Sequence, residues 1–337
     1  MRIGLPKEIK NHEYRVGLTP ASVREFTSRG HEVFVQAGAG AAIGLADEQY
    51  AASGAILVKD AAEVFAKAEM VVKVKEPQAQ EIAMLREGQI LYTYLHLAPD
   101  PEQTAALVKS GAVCVAYETI TGPNGGLPLL APMSEVAGRM SIQAGAAHLE
   151  KSKGGMGARV TVLDKNVDRL RQIDMVFGNR VKTLYSNAQT LEEKVLESDL
   201  VIGGVLVPGA AAPKLVTRPM VRCMKKGAVL VDVAIDQGGC FETSRATTHA
   251  DPTYLVDDVV HYCVANMPGA VARTSTFALN NATLAHGLAL ADKGWKRAMR
   301  DNPHLEAGLN VAAGKVTYEA VARDLGYEYV PAGQMLG

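Results

Sequence analysis

The 337-residue sequence predicts an α/β protein, two doubly wound parallel-sheet domains joined by long helices, and three observations carry that expectation. The first third alternates short apolar runs with helical stretches. A second alternation of the same kind fills residues 159–264. Within it, Gly227 to Gly239 (GAVLVDVAIDQGG) is an almost unbroken apolar run that ends in Asp236 and two glycines. A strand wetted on one face would alternate apolar and polar residues. Continuity through Val229, Leu230, Val231, Val233, Ala234 and Ile235 instead fits a central strand buried on both faces.

Taken in order, Met1 to Leu5 reads as a strand. Thr19-Pro20 supplies an N-cap and a proline at the first helical position, starting a helix that Gly30 stops. Glu32 to Val35 is the next strand, Asp60 to Lys67 a helix, Met70 to Lys75 a strand, and Ile90 to Leu95 a strand followed by His96. Asp100-Pro101 caps a helix that ends at Gly111, before a strand over Ala112 to Tyr117. Strands separated by helices are βαβ units, and their crossovers make neighbouring strands parallel.

Pro132 to Lys151 reads as a long helix. Its small residues, Gly138, Ala144, Gly145, Ala146 and Ala147, allow close approach of neighbours and suit a bridge between domains. Strands follow at Arg159 to Leu163, Val181 to Leu184, Asp199 to Val205, the Gly227 run, and His261 to Val264. Helices at Val167 to Ile173, Leu191 to Glu197 and Pro219 to Lys225 separate them, which makes a second doubly wound, Rossmann-like unit. Thr274 to Lys293 is a helix returning to the first domain, with Phe277, Leu279, Leu284, Leu288 and Leu290 for core packing. The expected division is a first domain over residues 1–131 completed by 273–337, and a second over 132–272.

Composition narrows the function classes. A net charge of -1, with Lys and Arg spread along the chain, leaves no electrostatic footprint for nucleic acid or an acidic membrane. Cys114, Cys223, Cys240 and Cys263 are far apart and form no metal or redox spacing, so reduced cytosolic thiols are the simplest account. MRIGLPKEIK lacks the apolar core of a signal peptide, and no apolar run is long enough to span a bilayer. A cytoplasmic location is expected.

The chemistry-bearing residues gather where the predicted topology opens. Ligands bind outside the carboxyl ends of the strands in open α/β sheets. Lys75 closes one predicted strand, His96 closes another, and Arg15 lies in the loop after the first, so all three belong to one end of one sheet. A guanidinium, an ammonium and an imidazole around a cleft suit a small carboxylate whose carbonyl must be polarised and protonated. Any one of the three alone reads better as a surface charge or a satisfied histidine. Asp236 has two readings of equal weight: a ligand-facing acid at a strand end, or an Asp that begins a turn before Gly238-Gly239.

The stretches KEIKNHEYRVGLTP, VVKVKEP, YTYLHLA, LPLLAPMSEVAGRMS, VIGGVLVPGAAAPKLV, VDVAIDQGGCFE and VANMPGAV resemble the alanine dehydrogenase family over nearly the whole chain. The resemblance implies an NAD-dependent enzyme that oxidatively deaminates L-alanine to pyruvate and ammonia, usually as a homohexamer. It implies a first domain that holds substrate and a middle domain that holds NAD. By position, Arg15 would bind the substrate carboxylate and Lys75 would polarise the carbonyl or imine. His96 matches the acid/base residue, and Asp236 matches the second catalytic residue, which orients or deprotonates the attacking water or ammonia. Asp164 matches the acid that hydrogen-bonds the adenosine ribose. Ser134, Arg169, Ser186, Val205, Leu206, Val233, Ala234, Ile235, Asp236, Val264, Ala265, Asn266 and Met267 match further NAD contacts, with Asn266 near the nicotinamide. No metal is implied.

One departure bears on activity. A dinucleotide site needs a strand, a G-x-G-x-x-G turn and a helix, with the ribose acid about 20 residues past the glycines. Here the cluster Gly154-Gly155-Met156-Gly157 follows a helix and runs directly into ARVTVLD, which ends at Asp164. A strand, phosphate loop and helix are absent against the family pattern, roughly 30 residues or more. The missing strand is the central one of the usual 3-2-1-4-5-6 order, so either its neighbours pair across the gap or the domain is poorly formed. The sequence thus leaves an alanine dehydrogenase of weakened activity beside a non-catalytic relative that binds small 2-oxo acids or assembles with intact subunits. The soluble subunit of a proton-pumping transhydrogenase shares the ancestry, but YTYLHLA and NMPGAV fit the dehydrogenase better.

Overall fold

Six parallel strands, β1 (Arg2–Leu5), β2 (Glu32–Gln36), β3 (Ile56–Val58), β4 (Met70–Val72), β5 (Ile90–Thr93) and β6 (Val113–Ala116), open the chain in the computed structural model, which describes residues 1–149, 159–205 and 212–337. A second set follows: β7 (Val160–Asp164), β8 (Val181–Tyr185), β9 (Leu200–Gly203), β10 (Val229–Asp232), β11 (Thr253–Val256) and β12 (Val259–Tyr262). The tail then adds β13 (Leu309–Ala312) and β14 (Lys315–Val316). Two units result, one of Met1–Val136 with Pro268–Gly337, the other between them from Ala137 to Met267.

The first unit is an eight-stranded sheet in the order β14-β13-β6-β5-β4-β1-β2-β3. Its tail strands run antiparallel, β13 against β6 and β14 against β13. The capping residues act as their chemistry requires. The Thr19 hydroxyl accepts from Ser22 N–H ahead of the helix Pro20–Ser28, and the Asp100 carboxylate accepts from Gln103 N–H ahead of Pro101–Ser110. Helix Ala272–Lys293 buries Leu279, Leu288 and Leu290 in the core that holds Ile3, Val33, Met70 and Ile90. The sequence reading had passed over β3, an edge strand with Ile56 and Leu57 exposed, and the helix Asp47–Ala52 beside it.

The second unit holds two separate sheets. One has the order β11-β12-β10-β9, with β9, β10 and β12 parallel and β11 antiparallel; the other is the parallel pair β7-β8. β10 is the interior strand that its apolar run predicts, buried throughout. It is shorter than the run, because Asp232 ends it: the carboxylate accepts from Ala234 N–H at 3.0 Å and turns Val233–Gln237 into a 3-10 helix. β12 likewise ends two residues before the predicted Val264. The long helix Ala131–Leu149 starts one residue before the predicted Pro132–Lys151, whose last two residues fall outside the described ones. Of its small residues, Gly145 serves close packing, since a Cβ there would stand 2.6 Å from Leu200 Cδ1 on β9, whereas Gly138 has open space around it.

The pairing across the gap did not occur among the described residues. β7 and β9, the two strands that the absent one would have joined, lie in different sheets. The consequence is visible in burial. β7 and β8 are no more than half-buried, and the apolar Val160, Val176, Phe177 and Tyr185 in and around them are exposed.

Candidate active site

Three neighbouring strands of the first sheet, β5-β4-β1, deliver His96, Lys75 and Arg15 just beyond their carboxyl ends. Each is held by a carboxylate that the sequence reading did not single out. Arg15 is buried and pairs side-on with Glu13, Nε to Oε1 at 2.8 Å and Nη2 to Oε2 at 2.6 Å, while its Nη1 faces Met133 Sδ at 3.0 Å. Burial alone would raise the Glu13 carboxyl, but the Arg15 charge and hydrogen bonds outweigh it and hold it at about 2.

Lys75 is buried, and its stretch is fixed from below. Glu8, in the loop after β1, accepts from Val74 N–H at 2.7 Å and from Lys73 Nζ at 2.9 Å, and Lys73 Nζ reaches Glu81 at 2.7 Å. Lys73 is completely buried between these two acids. A buried ammonium with two carboxylates fixes the exits of β1 and β4 relative to each other, since moving either strand would strand a charge.

His96 is the most constrained of the three. Its backbone lies in the left-handed region at φ 50°, uncommon for a residue with a Cβ. The Glu118 carboxylate holds that shape by accepting from Leu95 N–H at 3.0 Å and His96 N–H at 2.7 Å. Tyr94 stacks its ring against the imidazole, centroids 5.8 Å apart, and anchors itself through its hydroxyl to the Leu129 carbonyl at 2.6 Å. On the other edge, Glu76 Oε2 stands 3.4 Å from Nδ1 and 4.0 Å from Lys75 Nζ.

In the second unit the residues fall in two groups. Val205, Val233, Ala234, Ile235, Asp236 and the Val264 to Met267 stretch all follow the carboxyl ends of the parallel strands β9, β10 and β12. Asp236 is exposed, and its carboxylate accepts from Asn266 N–H at 3.2 Å. Asn266 itself sits at φ 61°. The turn that follows β10 is formed by Asp232, not by Asp236. Asp232 is the turn-forming acid, fully buried and bonded to Ala234 N–H, Cys240 N–H at 2.9 Å and the Ser244 hydroxyl. Asp236 is the acid that faces out. Gly239, at φ 76°, is required between them, because a Cβ there would stand 2.7 Å from Asp232 Oδ2.

The other group closes the β7-β8 pair. Asp164 ends β7 and its carbonyl accepts from Ser186 N–H at 3.0 Å, just past the end of β8. Its carboxylate accepts from Asn166 N–H at 2.8 Å, and Arg169 follows in the first turn of the helix Val167–Phe177. Ser134 belongs to the first unit, where it is exposed on the long helix and bonded to the Leu130 carbonyl. Leu206 lies outside the described residues, as does the Gly154 to Gly157 cluster. Among the described residues, no group of three His, Cys, Asp or Glu side chains is placed to hold a metal.

A nicotinamide dinucleotide fits these residues at two of its three parts. Asp164 with Ser186 offers acceptors and a donor to a ribose, and the loops after β10 and β12 offer a carboxylate and backbone to the ring end. The described residues supply no glycine-rich helix start for the diphosphate.

Two family models together match residues 4–319. The N-terminal domain of the alanine dehydrogenase/PNT family matches residues 4–137 and the C-terminal domain residues 136–319. The chain belongs to the alanine dehydrogenase/PNT family. It is 57% identical to an alanine dehydrogenase of Halomonas elongata, with all of both chains covered. Among solved structures it is similar to an L-alanine dehydrogenase at 45% identity and a TM-score of 0.89, covering 97% of this chain and 99% of that one. A transhydrogenase from Sinorhizobium meliloti shares the fold, with a TM-score of 0.77 at 23% identity over 95% of this chain and all of that one. The Halomonas alignment spans 371 positions, 34 more than the 337 residues of this family member, so at least that many have no counterpart here. That surplus matches the size of the strand, loop and helix missing before Asp164.

Proposed function

We propose that the chain is an L-alanine dehydrogenase, interconverting L-alanine with pyruvate and ammonia with NAD as the hydride carrier. The observation that carries this reading is the delivery of Arg15, Lys75 and His96 beyond three adjacent parallel strands, Arg15 paired with Glu13, and Lys75 and His96 both facing Glu76. Family membership supports it. Arg15, pre-oriented by Glu13, presents a rigid guanidinium to the substrate carboxylate. Lys75 brings positive charge to the carbonyl or imine and makes that carbon more electrophilic. His96 moves a proton to or from the reacting oxygen or nitrogen. Asp236 orients or deprotonates the attacking ammonia or water. NAD held here would supply the acceptor, or in the reverse direction the donor, of the hydride at the substrate carbon. Asp164, Arg169, Ser186, Ser134, Val205, Leu206, Val233, Ala234, Ile235 and Val264, Ala265, Asn266 and Met267 are the residues proposed to hold the cofactor.

The remaining expectations belong to the same reading: a homohexamer acting in the cytoplasm on a small-molecule substrate, without nucleic acid or membrane. No helix among the described residues is long and apolar enough to cross a membrane. A non-catalytic role finds no support in the comparisons, since full-length relatives are named as the dehydrogenase. The test is pyruvate amination with ammonium and NADH, followed by loss of NADH absorbance. Turnover that disappears in Lys75→Ala and His96→Ala is expected. No turnover of pyruvate or any short 2-oxo acid at saturating NADH would overturn the proposal.

A further inference from the structure

Glu76 directly follows Lys75, and nothing in the roles above requires it. It is nonetheless placed against the reacting imidazole. Its Oε1 is fixed in an ion pair with Lys10, from the loop after β1. Its Oε2 is buried, accepts no hydrogen bond within standard limits, and has His96 Nδ1 as its nearer partner, 3.4 Å against 4.0 Å for Lys75 Nζ. That is ion-pair range and slightly longer than a tight N–H···O bond.

We propose that Glu76 is the positioning residue for His96: it takes the Nδ1–H, so that Nε2 is the atom that exchanges a proton with the substrate. The proposal rests on the reading of His96 as the acid/base residue. An ionised carboxylate only accepts, and a neutral imidazole has one donor nitrogen and one acceptor nitrogen. A carboxylate at Nδ1 therefore selects the Nδ1–H tautomer and leaves the Nε2 lone pair facing away from Glu76. The remaining neighbours agree with this division. Glu118 acts on the His96 backbone, Tyr94 covers a ring face, and the charges nearest Glu76 are the cations Lys10 and Lys75. Burial works against ionisation of Glu76, but the close approach of the His96 ring and the charges of Lys75 and Lys10 outweigh it and lower its carboxyl.

A carboxylate that merely neutralised Lys10 and Lys75 would leave the tautomer of His96 undetermined. The deciding measurement is the 15N spectrum of the full chain labelled in histidine, taken at about pH 9, above the ordinary imidazole range. His96→Gln assigns the signal, and neither substrate nor cofactor is needed. The expected form is Nδ1–H in the unsubstituted protein, shifting toward Nε2–H in Glu76→Leu, which has no acceptor to offer. Pyruvate amination by Glu76→Leu should fall on the order of 10²-fold in kcat, with KM for pyruvate little changed. An Nε2–H signal in the unsubstituted protein, or an unchanged tautomer in Glu76→Leu, would overturn the proposal. If Glu76→Leu does not fold, the unsubstituted spectrum alone still decides. A chain with the expected tautomers but no turnover would support the pairing and sink only the dehydrogenase reading.

Discussion

At the scale of single residues, the site is a set of basic side chains each with an acid beside it, and the acids decide how firmly they are held. Glu13 makes the clearest case, because its side chain is fully buried and its two oxygens are committed to Arg15. Removing one member of such a pair leaves the other charge buried, typically a cost of 3–5 kcal/mol. Glu13→Gln is therefore expected to lower unfolding free energy by about 3 kcal/mol at neutral pH. The sign with pH follows from the lowered carboxyl: the contribution is complete above the ordinary value of 4.5 and is lost as pH falls toward about 2. Urea unfolding of both proteins should show a gap at pH 7 that narrows on acidification. A gap independent of pH would show that Glu13 acts through packing rather than charge.

Among the elements, the decisive one is the strand that the chain lacks. A two-stranded sheet is marginal in water without further pairing or a packed face, and β7-β8 stands alone with half-buried strands. The same missing unit carries the helix start and backbone amides that cradle a diphosphate. Inserting the corresponding strand, loop and helix of the Halomonas relative between Gly157 and Ala158 should join β7 to β9. Two or more charge-assisted hydrogen bonds to the diphosphate would then tighten NADH binding on the order of 100-fold. Titration of nicotinamide fluorescence reads this directly. Equal affinity before and after insertion would show that the gap does not limit cofactor binding.

For the whole molecule, the two units differ in completeness. The first has eight strands and a continuous core to which the tail contributes Leu305 and Leu309. The second splits its strands between two sheets and exposes apolar side chains. Calorimetry is expected to show two transitions, the second unit melting first. Pyruvate without NADH should raise the upper transition and leave the lower one in place, because Arg15, Lys75 and His96 all belong to the first unit. A single cooperative transition would mean that the units fold as one.

Much of this was legible in the chain itself. Period and capping are local, so the βαβ alternation, the Thr19 and Asp100 caps and the buried run at Val229 could be read from neighbouring residues. The placement of Arg15, Lys75 and His96 at one sheet end followed from the parallel topology those elements imply. What the sequence could not show depends on residues far apart coming together. Glu118 bonding the His96 backbone, Glu8 joining β1 to β4 through Lys73, and Glu76 facing Nδ1 are pairings set by strand order. The end of β10 is the same lesson at short range: an apolar run gave no warning that Asp232 would turn inward and break it. Set against the pattern of the family it resembles, the sequence also determined that a segment was missing. Only the tertiary structure decided the outcome, two sheets rather than one, because whether strands re-pair depends on how far apart their edges are held.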